Sequence, residues 1–145
     1  MPGLWEIYVA ECERLGRPVG PAPPAKAPLF LHVTPDPERD WEPVAPHVLY
    51  TARANAEWAK ERGVGDTPYQ GAMTLADLKA HPRFEVLSPD ECVAFVLGLP
   101  VDAEVVFQPL MGGLPVDLGW SGLRLFETEV LPALIEAGRG PTAPD

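Results

Sequence analysis

Cysteine and histidine are scarce in this chain: two Cys and three His among 145 residues. Cys12 and Cys92 stand far apart, each inside an apolar helical pattern, which suits small buried hydrophobes better than a disulfide or a metal pair. His32, His47 and His81 have no Cys or second His at ligand spacing, so the sequence supports no zinc site. Basic residues are also few, 11 against 21 acidic, for a formal net charge of -10. Without a Lys/Arg cluster to neutralise phosphates, no nucleic acid and no anionic membrane is expected as a partner. No apolar run approaches the ~20 residues that span a bilayer. The start, Met1 to Glu6, has neither a basic nor an apolar leader region, and a cytoplasmic location is expected.

Proline, by contrast, is abundant, 19 residues, alongside a hydrophobic fraction of 46% that is ordinary for a globular protein. The prolines therefore punctuate a fold. Residues 1–137 are expected to form a single domain and 138–145 a flexible tail. Leu4, Tyr8, Cys12 and Leu15 recur at helical spacing, with Gly16 placed to end an amphipathic helix. Five prolines between Arg17 and Pro28 exclude helix and central strand and predict an extended connector. Leu29 to Thr34 is a short apolar run that predicts a strand buried on both faces. Asp36 is placed to cap the next helix, with Pro37 in its first turn. Pro43 and Pro46 predict a break, with a short turn near 37–42 and a longer helix from Ala45 to Arg62.

Further on, Thr74–Asp77 and Ser88–Glu91 carry the pattern of capping boxes. Phe84 to Leu87 reads as extended, and Ala103 to Leu110 as a buried strand. Met111 to Pro115 is a tight turn, and a last helix from about Trp120 sets Leu123, Phe126, Val130 and Leu134 on one face, with a kink or restart at Pro132. Alternation of this kind signals βαβ units and a parallel sheet.

Several chemistries fail on spacing. Gly112-Gly113 lacks the Lys-Ser/Thr of a P-loop, and Gly119-Trp120-Ser121-Gly122 misses the nucleophile-elbow pattern by one residue. Asp36, Glu38 and Asp40 sit where a helix start favours acids, as solvated caps. At the last turn, Gly112 and Gly113 permit positive φ and close backbone approach to a ligand, with Gln108 and Met111 as an amide and an apolar wall. The same two glycines equally serve a plain strand-to-helix turn. Trp41, His47 and Tyr50 come after the first long strand, either as packing residues or as one side of a site.

The stretches Leu31 to Trp41, Pro46 to Tyr50, Val86 to Glu91, and above all Val106 to Pro115 with Leu123 to Phe126 and Val130 to Leu134, together resemble the C-terminal part of the bacterial luciferase-like flavin-dependent monooxygenases. The resemblance implies an α/β fold, a partial (β/α) barrel containing the last strands of a TIM-barrel-like architecture. It implies FMN or the deazaflavin F420 as cofactor, with Gln108, Met111, Gly112 and Gly113 on the cofactor side and Trp41, His47 and Tyr50 on the substrate side of a small-molecule ligand. A full barrel needs ~250 residues. The expected function is thus a truncated flavin-dependent oxidoreductase module, inactive as an isolated monomer. The alternative is a flavoprotein-like or structural protein that dimerises without catalysis. Either way, open sheet edges call for a homodimer or a complementing chain.

Overall fold

The computed structural model describes residues 3–22, 26–63, 67, 69 and 71–140. Its elements, in chain order, are α1 (Leu4–Arg14), β1 (Lys26–Ala27), β2 (Phe30–Val33), α2 (Pro37–Glu61), α3 (Leu75–Ala80), β3 (Phe84–Leu87), α4 (Pro89–Gly98) and β4 (Glu104–Val105). A 3-10 turn (Met111–Gly113), α5 (Val116–Leu125), a π-helical turn (Phe126–Val130) and α6 (Leu131–Glu136) complete it.

β2 is the centre of the packing. It pairs in parallel with β3, Phe30 opposite Phe84 and Val33 opposite Leu87, while β1 pairs in parallel with β4. Side chains alternate across a strand, and both faces of β2 are covered. Phe30 joins Trp41, Val44, Ala45, Val48 and Ala52 of α2, Leu78 of α3 and Phe84 and Val86 of β3 in one cluster. Leu31 and Val33 join Cys92 and Val96 of α4, Val130 and Leu134 in a second. Each large apolar side chain fully buried here contributes about 1.5–3 kcal/mol.

The outer edge of β2 is covered too. The amides of Phe30 and Thr34 donate to the carbonyls of Arg83 and Leu87 on the β3 side, so those of Leu31 and Val33 point the other way. Helix α5 lies there. A Cβ on Gly122 would stand 2.7 Å from His32 Nδ1 and 3.3 Å from the Val33 nitrogen, and one on Gly119 would collide with the Pro109 carbonyl oxygen. Gly122 lets the α5 backbone settle against this edge of the strand, and Gly119, one turn earlier, lets it settle against the Pro109 backbone.

Helix caps match their sequence signals. Thr74 accepts from the Asp77 amide and Ser88 from the Glu91 amide, with Asp77 and Glu91 bonding back to the capping residues. Gly16 and Gly63 adopt positive φ just beyond α1 and α2.

Four expectations are corrected. The strands form two short parallel pairs and most of the chain is helix, so the partial (β/α) barrel is not the fold. The predicted strand Ala103 to Leu110 shrinks to Glu104–Val105. Beyond it the chain offers the Gln108 side chain to the Leu29 carbonyl (3.0 Å), and Pro109 has no amide to donate to a ladder. α2 runs unbroken through Pro43 and Pro46. Both prolines lie on the exposed side of the helix with Arg39 and Glu42, whose carbonyls lose their helical donors, while Val44, Ala45 and Val48 hold the buried face. The last helix begins at Val116, earlier than expected, and accommodates Pro132 by widening into the π-helical turn just before it. Of the expected flexible tail, residues 141–145 lie outside the described residues, as do 23–25 of the proline-rich connector and parts of the loop between 63 and 71.

Candidate functional site

The residues singled out around the last turn do converge, on a contact between the 3-10 turn and α2. Gly112 has φ 61°, and a Cβ there would collide with the His47 carbonyl oxygen. His47 Nδ1 lies 3.1 Å from the Gly112 carbonyl oxygen. A carbonyl only accepts, so Nδ1 carries the proton and donates. Met111 and Trp41 are buried in the same cluster. The close approach that Gly112 permits is therefore made by the α2 backbone. Gln108 is half-buried and bonded to Leu29, Gly113 (φ 79°) is exposed, and Tyr50 lies on the solvent side of α2, 68% exposed.

A polar cluster that the sequence did not reveal sits where β2 ends and α2 begins. Asp36 caps α2, accepting from the Arg39 amide at 3.2 Å. Asp40, expected as a solvated cap, is buried. It accepts from the Thr34 hydroxyl and from Arg39 Nε, the latter at 2.7 Å. The Arg39 guanidinium, with the Thr34 hydroxyl assisting against burial, holds the Asp40 carboxyl below its ordinary range. His32, 3% exposed, has its Nε2 buried without a hydrogen-bond partner among the described residues. Burial pushes its pKa down, opposed by the Asp40 charge. The crevice it lines with Phe30, Phe107, Pro109, Gly119 and Gly122 is too narrow to admit a water molecule, so the cluster fastens α2 and α5 to the strand end. Among the described residues no three His, Cys, Asp or Glu side chains gather as a metal site.

The accessible apolar surface lies elsewhere. On α1, Leu4 is 88% and Ile7 53% exposed, with Tyr8 and Leu15 beside them also exposed. These residues share one side of the helix, next to the face that holds the buried Cys12. On the outer side of α2, Pro46, Tyr50, Arg53, Ala54, Glu57 and Trp58 line an open groove. The signal for it, an aromatic–small–aromatic row at positions 50, 54 and 58, stands in the sequence at helical spacing.

No family model, no curated protein and no solved structure matches the chain. With short, unclosed parallel strand pairs in place of barrel strands, this overturns the resemblance to luciferase-like monooxygenases. The expected flavin-dependent oxidoreductase function and the FMN or F420 cofactor, which rested on that resemblance, fall with it. No described helix is long and apolar enough to cross a membrane.

Proposed function

We propose that this chain is a self-assembly module, working by pairing with a second copy through the apolar stripe of α1. The observation that carries the reading is that stripe: Leu4, Ile7, Tyr8 and Leu15 stand in solvent while the central strand β2 is buried on both faces. Contiguous apolar surface of this kind marks interaction sites. A second copy across a two-fold axis is the simplest closed partner for one surface. Glu6 lies in the first turn of α1 and Arg14 in the last, with Arg17 just beyond. Arg14 is already paired with Glu11 of its own helix at 2.6 Å, so what antiparallel pairing gains is the favourable alignment of the helix dipoles. We place the assembly in the cytoplasm, in keeping with two free, buried cysteines.

Light scattering across micromolar concentrations tests this. A dimer is expected for the parent chain and a monomer for Leu4→Glu/Ile7→Glu, which puts carboxylates into the pairing surface. A parent chain that stays monomeric and monodisperse overturns the reading.

A further inference from the structure

An 11-residue helix is roughly 16 Å long and supplies only part of the ~800 Å² per partner that a stable interface buries. The self-assembly read from α1 therefore needs a second contact. We infer that the groove on α2 is a receptor slot for a polyproline II segment, and that its occupant is Arg17–Pro21 of the second copy.

The slot has the right chemistry. Tyr50 and Trp58 rise from one side of α2, and Ala54 between them forms a low floor. The rings are 68% and 58% exposed. Polyproline segments dock between exposed aromatic rings because their conformation is already fixed and little entropy is lost on binding. Eight residues of α helix separate the two aromatic positions by roughly 12 Å. In polyproline II, three residues separate Pro18 from Pro21, which lie on one side about 9 Å apart. Two prolines thus fit inside the span between the rings.

The occupant is presented for capture. Residues 17 and 18 are exposed, as are Val19 and Pro21. Two bonds tie the segment to α1: the Arg17 amide donates to the Cys12 carbonyl at 2.9 Å and the Gly20 amide to the Tyr8 hydroxyl at 3.2 Å. The groove carries one charge of each sign. In the groove, Arg53 is tied to the Met73 carbonyl at 2.9 Å, whereas Glu57 makes no ion pair among the described residues. Its carboxylate is the counterpart for Arg17, which directly precedes Pro18. The segment begins just after α1, so pairing of the stripe brings this arm to the second copy at the same time.

The test rests on the α1 reading and separates the two. Dimer dissociation constants are measured by sedimentation equilibrium for the parent chain, Leu4→Glu, Trp58→Ala, Ala54→Leu, Pro18→Ala/Pro21→Ala, and the combined Ala54→Leu/Pro18→Ala/Pro21→Ala chain. Ala54→Leu fills the slot floor with a good helix former, so it guards against loss of folding. Each slot or arm variant is expected to weaken the dimer tenfold or more, and the combined variant no more than its worse component, as for two sides of one contact. If Leu4→Glu dissociates the dimer while slot and arm variants match the parent, the slot is wrong and α1 pairing stands. Slot and arm effects that simply multiply also overturn the contact. A monomeric parent chain overturns both readings.

Discussion

Helices α1 and α4 are nearly the same length and each carries one cysteine among apolar residues, yet the fold treats them oppositely. α4 starts at a Ser88–Glu91 capping box and presses Cys92 and Val96 into the cluster beneath Leu31 and Val33. α1 starts at Gly3, whose amide bonds the Glu6 carboxylate, and fully buries Cys12 alone, leaving Leu4, Ile7 and Tyr8 in solvent. Periodicity marks an amphipathic helix without saying which molecule covers its apolar face. For α4 the cover is the chain itself; for α1 we assign it to a second copy.

The sharpest way to break the comparison is to damage the body that α4 serves. Gly112→Val should cost more than about 3 kcal/mol or prevent folding, because the side chain would need positive φ and would strike the His47 carbonyl. Phe84→Ala, at a site 1% exposed, should lower stability by roughly 3–5 kcal/mol in urea unfolding. Ile7→Ala on α1 should change the unfolding of dilute monomer by less than about 0.5 kcal/mol. Equal effects at Phe84 and Ile7 would show that α1 is part of the core.

A second test uses the two thiols. Burial, with the Glu85 charge adding to it, pushes Cys92 up to about 12, so the reactive thiolate is disfavoured as well as hidden. In dilute protein, Cys12 should react with a disulfide reagent at least tenfold faster than Cys92, because local opening of α1 exposes it while Cys92 waits for unfolding of the body. Similar rates, read by mass spectrometry of the labelled peptides, would place α1 and α4 in one cooperative unit.

The smallest expected effect is on pH. His32 is held below its ordinary value of 6.5 by burial, so the unfolded chain binds its proton more readily. The contribution is full above pH 6.5 and is lost as pH falls through that value toward the folded pKa. Asp40 is lowered from 3.8, and its contribution is lost only as pH falls below that range. Urea midpoints should therefore decline between pH 7 and 5 by an amount that His32→Leu reduces; an unchanged slope in that variant would assign the decline to other groups.

Much of the local structure was legible in the sequence, because it depends on near neighbours. Ser88, Thr74, Gly16 and Gly63 marked helix ends through hydrogen bonds and backbone geometry that span three or four residues. The apolar run at Leu29 to Thr34 indicated a strand buried on both faces, with Phe30–Val33 as its core. What failed depends on distant parts of the chain. Pro43 and Pro46 do not break α2, since its path turns both to water. Asp40 could not be told from a solvated cap until Thr34 was seen to reach it. The barrel was inferred from stretches such as Val106 to Pro115, but local likeness does not determine how strands close, and β4 has two residues. At the candidate site, sequence offered Gly112 and His47 either as turn and packing residues or as neighbours of a ligand, and folding makes them neighbours of each other.

The most direct test of the central claim is to mix isotope-labelled and unlabelled copies and record NOEs that cross between them. Antiparallel pairing of α1 predicts contacts from the Leu4 methyls of the labelled copy to Leu15 of the unlabelled one, lost in Leu4→Glu/Ile7→Glu. A dimer with no α1 contacts between copies, or no dimer at millimolar concentration, would contradict the account.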